Sequence, residues 1–378
     1  MKIGILTFHA AYNYGAFLQT YALSTALHLK GHTTTVINYQ PEYLVSGYRP
    51  FSSPKYNRKH SLLINLLTIP YSIVRQTLDY PQANKRFRYF KDTISRNLPL
   101  SKSTYSTYAD LPTHEEYDLY VAGSDQIWAS HLTGGKLDPA FFFYNLPAST
   151  KTCTYAASMG RSAVSDEHLE DFREYTKNLN AISMRECSAM PFVQEQTGKD
   201  VQCVLDPTLL LTAEEWMKYA QEPKKHPQKF LLSYSFGTDP EYFRAVKRIA
   251  KKSGLEIVWL HTRGVFCKYF VMHNYVRPEE FVWYFANASA VITPSFHGTM
   301  FSIINRKPFY SVAPYPQSVR IEDHLKRFDL LDRLYDSAEK LPNTVTDIDY
   351  TKPAEKLEEW RRKSFAYLDM ITKPDDEQ

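Results

Sequence analysis

Thr293-Pro294-Ser295-Phe296-His297-Gly298-Thr299 sets a histidine among hydroxyls and a glycine, just after the apolar run Ala290 to Thr293. That run reads as a buried strand, and Thr299 to Asn305 reads as the helix that follows. His297 is therefore expected at the carboxyl end of a parallel strand, where open α/β sheets bind ligands and helix amides receive anions. An imidazole there can give or take a proton near neutral pH. Gly298 would let backbone nitrogen come close to a phosphate, with Ser295 and Thr299 adding hydroxyl donors. The same pattern also fits a histidine that only closes a turn.

Ser183-Met184-Arg185-Glu186 has the same setting, and Arg185 would offer a forked pair of donors to a carboxylate or phosphate unless Glu186 is its structural partner. Asn13-Tyr14-Gly15 resembles an anion-binding turn but lacks the three-glycine dinucleotide fingerprint, which argues against NAD. Gly123-Ser124-Asp125-Gln126-Ile127-Trp128 brings a carboxylate, an amide and an aromatic ring that suit sugar hydroxyls, although Asp125 is equally a helix cap. Asp206-Pro207-Thr208 reads as a hinge turn rather than a catalytic carboxylate.

The elements that must position these groups alternate between strand and helix. Lys2 to Phe8, a helix from Ala16 to Lys30 stopped by Gly31, and Thr33 to Asn38 form a β-α-β unit. Residues 41–112 lose this rhythm, carry aromatics, prolines and basic residues, and read as a helical or irregular insertion. Strands return at Asp118 to Ala122, Cys153 to Ala157, Ala181 to Met184 and Val201 to Leu205, with a helix at Asp166 to Lys177. A second alternation has strands at Phe230 to Ser235, Glu256 to Leu260, Ala290 to Thr293 and Phe309 to Val312. Its helices fall at Glu241 to Lys252, Glu279 to Ala286 and Thr299 to Asn305. The expected fold is α/β, with two Rossmann-like domains facing a cleft, 1–205 and 206–340, and a helical tail over 341–378 packing back.

A chain of 378 residues exceeds the usual span of one core, which agrees with two domains. The balance of 45 basic against 41 acidic side chains has no dense basic block and excludes a nucleic-acid footprint. Cys153, Cys187, Cys203 and Cys267 match neither a zinc pattern nor a disulfide scaffold and read as reduced thiols of a cytoplasmic protein. No metal-ligand cluster is visible and no cofactor is called for. The N-terminal apolar run is too short for a signal peptide, and no stretch is long enough to span a membrane.

Taken in order, Ile3-Gly4-Ile5, Asn13-Tyr14-Gly15-Ala16 with Gln19, Gly123 to Trp128, Ser183 to Glu186, Asp206-Pro207-Thr208 and Ser295 to Thr299 resemble the polysaccharide pyruvyl transferase family. The resemblance runs from residue 3 to about residue 333. It implies a fold similar to the GT-B glycosyltransferases, with phosphoenolpyruvate as donor and a sugar diol of a lipid-linked or nucleotide-linked surface polysaccharide precursor as acceptor. The product would be a cyclic pyruvate ketal, with phosphate released. His297 and Arg185 would then serve catalysis at the donor site, beside Ser295, Gly298 and Thr299. Asn13, Tyr14, Gly15, Gln19, Ser124, Asp125, Gln126 and Trp128 would face the acceptor. The family pattern has an arginine two residues before the motif histidine, where this sequence has Ser295. The donor's charge must then be met by Arg185, Lys307 or Arg320.

Two other readings fit the same layout: a nucleotide-sugar glycosyltransferase, and a catalytically silent scaffold of a polysaccharide assembly complex. Finally, Ser61 to Val74 carries Leu62, Leu63, Ile64, Leu66, Leu67, Ile69, Ile73 and Val74 between the basic Arg58, Lys59, His60 and Arg75. That pattern predicts a peripheral contact with the inner face of the plasma membrane, and it equally describes a helix pair buried in the insertion.

Overall fold

Lys2–Leu6 (β1) is too apolar for a surface strand, and in the computed structural model it lies at the centre of a five-stranded parallel sheet. The structure describes residues 1–51, 62–113, 116–236, 239–261, 275–314 and 318–373. The partners of β1 are Thr33–Tyr39 (β2), Leu100–Tyr105 (β3), Leu119–Ala122 (β4) and Thr152–Thr154 (β5), in the order β3-β2-β1-β4-β5. The sheet is continued by isolated bridges to a parallel pair, Ile182–Met184 (β6) and Val201–Cys203 (β7).

The second sheet is also parallel, with Phe230–Ser235 (β8), Glu256–His261 (β9), Ala290–Thr293 (β10), Phe309–Val312 (β11) and Leu334–Tyr335 (β12). Its order is β12-β11-β10-β8-β9. In each sheet the chain reverses its direction of winding at one place, between β1 and β4 and between β8 and β10, and such switch points open a crevice at the strands' carboxyl ends. Two Rossmann-type layers with facing crevices make the architecture GT-B-like.

Helices cover both sheets. Tyr14–Leu29 (α1) is buried nearly all round, as expected of a helix held between its own sheet and a second domain. Gly31, at φ +86°, supplies the left-handed turn after it. The expected insertion holds the single turn Glu42–Val45 (α2) and the 36-residue helix Leu62–Asn97 (α3). It then ends in the edge strand β3, so this segment is partly integral to the sheet. Shorter helices follow at Leu169–Tyr175 (α4), Met190–Thr197 (α5) and Ala213–Tyr219 (α6).

In the second half, Pro240–Ser253 (α7) begins at the Asp239 cap and stops at Gly254. Pro278–Asn287 (α8), Phe296–Ile304 (α9) and Val319–Arg327 (α10) follow. The last helix, Thr351–Ile371 (α11), returns to the first domain as expected. There Tyr367 donates its hydroxyl to the Thr154 carbonyl at 2.8 Å, and Arg361 donates to the carbonyls of Leu209 and Leu211.

One apolar cluster joins Ile3, Phe17 and Leu23 of the first domain to Phe230, Phe281 and Phe301 of the second and Tyr367 of α11. The two halves therefore share a core. Among the described residues, no helix is long and apolar enough to cross a membrane. The reading of reduced thiols is corrected at two positions: Cys187 and Cys203 form a disulfide, S–S 2.07 Å. The parallel pairing of β6 and β7 brings the ends of a 16-residue excursion within 5.2 Å at Cα, which spacing alone did not show. Cys153 is free and buried, and Cys267 lies outside the described residues.

Candidate functional site

The two switch points open into one cavity of about 1000 Å³ between the domains. Its first-domain wall includes Asn13, Asp125 and Gln126, and its second-domain wall includes Ser295, His297 and Arg320. Helix α9 begins at Phe296, three residues earlier than expected, because extended Ser295 caps it by accepting from the Gly298 amide at 3.3 Å. His297 therefore sits in the first turn of α9. Helix geometry leaves the amides of Phe296 and His297 without intrahelical partners.

The His297 ring is packed against Gly15 of α1, where an added Cβ would lie 2.0 Å from Nδ1. Its Nε2 stands 3.7 Å from Asp206 Oδ2 and has no hydrogen-bond partner. Asp206 is fully buried: Oδ1 accepts from the Thr208 amide and hydroxyl at 3.0 and 2.7 Å, and Oδ2 accepts from Arg185 Nη1 at 3.1 Å. Burial alone would raise the pKa of this carboxyl. His297, Arg185 and the Thr208 hydrogen bond outweigh that and hold it well below the usual carboxylate range. Asp206 caps the turn that opens at Pro207, and it is also the carboxylate that links Arg185 to His297.

Arg185 is corrected from ligand clamp to buried scaffold. It is wholly inaccessible, donates from Nε to Glu186 at 2.9 Å, lies 3.9 Å from Asp125, and stacks 4.6 Å over the Phe296 ring. Burial would weaken its hold on the proton, but the carboxylates of Glu186, Asp206 and Asp125 raise its pKa and keep it cationic. Arg320 packs on the same Phe296 ring at 5.8 Å and lines the cavity. Burial and the Arg185 charge lower its pKa, and among the described residues it has no ion-pair partner within 4 Å.

Several other expected contacts are corrected. Gly298 and Thr299 face inward: a Cβ on Gly298 would lie 2.5 Å from Thr293 Oγ1, and the Thr299 hydroxyl binds the Ser295 carbonyl and Ser311 Oγ. Lys307 is at the far end of α9, where the chain enters β11 from its amino side, so it cannot reach the cavity. Gln19 spends its amide on Thr7, Thr20 and the Ala16 carbonyl and accepts from the Ser124 amide. Ser124 is buried and bonded to the Ala156 carbonyl. Trp128 is a core ring stacked on Phe142 at 5.1 Å.

Asn13, Tyr14, Asp125 and Gln126 do reach the cavity wall. Asn13 Oδ1 also accepts from the Gly15 amide at 2.9 Å, capping α1. Tyr14 joins the domains, donating its hydroxyl to the Val276 carbonyl at 2.7 Å and stacking on Phe281 at 4.3 Å. Residues that sequence reasoning did not name also line the cavity, notably Tyr12, Tyr48, Gln82, Arg86 and Tyr275. The signal for Tyr48 and Arg86 was the aromatic and basic content of the insertion.

The family described as polysaccharide pyruvyl transferase matches residues 13–315. No functionally curated protein matches the chain. Among solved structures, a UDP-GlcNAc 2-epimerase from Methanocaldococcus jannaschii, in complex with UDP-GlcNAc and UDP, is 10% identical with a TM-score of 0.46, covering 97% of this chain and 100% of its own. The UDP-GlcNAc 2-epimerase of Neisseria meningitidis, bound to UDP-GlcNAc, is 10% identical with a TM-score of 0.45, covering 99% and 95%. MurG of Acinetobacter baumannii is 9% identical with a TM-score of 0.40, covering 99% of each chain.

Proposed function

The chain belongs to the polysaccharide pyruvyl transferase family, and from that membership we propose that it moves a pyruvyl group from phosphoenolpyruvate onto two hydroxyls of a surface-polysaccharide precursor. The carrying observation is His297, set in the first turn of α9 at a switch point, where it lines the cavity with Nε2 3.7 Å from the buried Asp206 carboxylate. Protonated His297 delivers its proton to the methylene carbon of phosphoenolpyruvate, making the adjacent carbon electrophilic. A sugar hydroxyl attacks that carbon and returns its proton to the imidazole. The carbon–oxygen bond to phosphate then breaks, and the second hydroxyl closes the ketal as its proton passes to the departing phosphate. Asp206 stabilises the imidazolium, while Arg320 and the amides of Phe296 and His297 receive the donor's negative charges. Arg185 acts through Asp206 and Phe296 as a positioning residue.

The second reading is a nucleotide-sugar glycosyltransferase. It is favoured by the cavity of about 1000 Å³, which is far larger than phosphoenolpyruvate requires. Incubation with phosphoenolpyruvate and a panel of nitrophenyl and lipid-linked sugars separates the two. A product heavier by one pyruvate less one water, with phosphate released, supports the pyruvyl reading. Nucleotide release from a nucleotide sugar, with phosphoenolpyruvate unconsumed, replaces it with the second.

The reaction is placed in the cytoplasm, where phosphoenolpyruvate is made, with a peripheral membrane contact along α3. Of the segment named for that contact, Arg58 to Ser61 and the side chains of residues 62–69, 71, 72 and 75 lie outside the described residues. Ile73 and Val74 are described, and both are exposed.

A further inference from the structure

We propose that Arg86 of α3 is the anion-reading residue of the acceptor subsite and selects sugars that carry a phosphate at the linkage position. The inference rests on the pyruvyl-transfer reading for the word acceptor, but not for the binding itself.

Gln82, Arg86 and Phe90 are spaced one helical turn apart, so they share a face of α3, and all three line the cavity. The guanidinium of Arg86 lies 5.3 Å from the Tyr48 ring and 5.5 Å from the Tyr275 ring. Its Nε is buried without a hydrogen-bond partner, as is Gln82 Oε1. Among the described residues, no carboxylate comes within ion-pair distance of Arg86. Although the Tyr275 hydroxyl also contacts this guanidinium, Nε remains a buried donor that an incoming anion can satisfy.

The helix is also fixed in place. Phe90 packs against Tyr14 at 5.1 Å, Thr93 and Arg96 both contact Glu279 at 3.3 Å, and Asp92 pairs with Arg277 of the second domain. Arg86 is thus held on a rigid element that bridges the cleft, and its position does not depend on a loop.

The donor does not account for this cation. Phosphoenolpyruvate is small, and the site around His297 already supplies Arg320, stacked on Phe296, and the α9 amides. Arg86 is housed by a different set of rings, Tyr48 and Tyr275, in a cavity of about 1000 Å³. A neutral sugar offers a guanidinium only hydroxyl acceptors, whereas a phosphate offers charge-assisted ones. Activated sugars are joined through phosphate, and the tyrosine faces beside Arg86 suit the sugar ring.

Calorimetric titration tests this with UDP-N-acetylglucosamine, farnesyl-diphosphate-linked N-acetylglucosamine, free N-acetylglucosamine and phosphoenolpyruvate. Wild type, Arg86→Gln and Arg86→Lys are compared. Wild type should bind one or both phosphate-linked sugars more tightly than the free sugar. The lipid and nucleotide arms then show which source fits. Arg86→Gln should lose about tenfold or more in that affinity, the scale of a charged hydrogen bond. Arg86→Lys should fall between, and phosphoenolpyruvate should bind all three alike. The proposal is overturned by equal affinity for charged and free sugar in wild type. It is overturned too if Arg86→Gln binds the phosphate-linked sugars like wild type, or loses phosphoenolpyruvate by the same factor. Failure of wild type to bind phosphoenolpyruvate counts against the donor reading and leaves the Arg86 comparison intact.

Discussion

Gly15 and His297 come from opposite domains, and a methyl group added to Gly15 would lie 2.0 Å from the imidazole Nδ1. The glycine that looked like part of an anion-binding turn is instead the floor on which the histidine rests. Any side chain there must push the ring, the helix or the domains apart. Gly15→Ala is therefore expected to fold but to lose turnover by about tenfold or more, since small displacements of reacting groups cost rate steeply. If the loss arises through His297, the double variant Gly15→Ala/His297→Ala will turn over no more slowly than His297→Ala alone. Multiplicative losses in that cycle would show that the two residues act separately.

His297→Ala itself should lower turnover by roughly a hundredfold, the usual scale for removing a general acid or base. The melting temperature should change little, because the ring borders the cavity and Asp206 keeps its hydrogen bonds from Arg185 and Thr208. Steady-state rates and a thermal melt suffice for the check. Activity within about threefold of wild type would return His297 to the structural role that its sequence pattern also allowed.

Asp206 gives a dependence of stability on pH. Its folded-state pKa is depressed, so its contribution is fully present above the unfolded carboxyl value of about 4 and is lost as pH falls toward the folded value. Wild type should therefore keep its melting temperature down to about pH 4 and lose it below. Asp206→Asn leaves Arg185 with one fewer buried counter-charge, a loss on the scale of about 3 kcal/mol or more, and should flatten the acid limb. An acid limb in Asp206→Asn as steep as that of wild type would show that other carboxylates govern acid unfolding.

The strands and helices around His297 were legible because buried parallel strands are continuous apolar runs and the helices between them have clear stops. Glu186 was legible as a partner of Arg185, but Asp125 and Asp206 were not, since they meet it only once three separate strand ends are brought together. Gln19 and Trp128 misled for a related reason: a polar or aromatic residue near a strand end looks the same whether it serves a ligand or the core. Helix α3 was obscured by Pro70 and Pro81 within it, and β3 by its polar sequence Leu-Ser-Lys-Ser-Thr-Tyr. An edge strand buries too little to carry an apolar pattern. Lys307 carries its charge near the motif in sequence, but a strand-helix-strand unit takes the chain back to the opposite rim within ten residues of His297.

The last expectation concerns how a lipid-linked acceptor reaches the cavity. Gln76, Asp79, Gln82 and Arg86 of α3 line it, while Ile73, Val74, Leu78 and Tyr80 of the same helix are 41%, 58%, 49% and 46% exposed. Large apolar side chains left in water along one helix favour insertion into the headgroup boundary, and a lipid docked there would already be beside the cavity mouth. The full-length protein should float with anionic liposomes at low salt and less at high salt, because basic residues assist only over a Debye length. Ile73→Glu/Val74→Glu should abolish flotation while leaving the melting temperature within about two degrees, since exposed positions carry little folding energy. The variant should also keep wild-type turnover on a soluble nitrophenyl sugar and lose it on a lipid-linked one embedded in vesicles. Wild type that stays at the bottom of the gradient, or a variant that unfolds, would assign these side chains to packing and remove the membrane from the route of the acceptor.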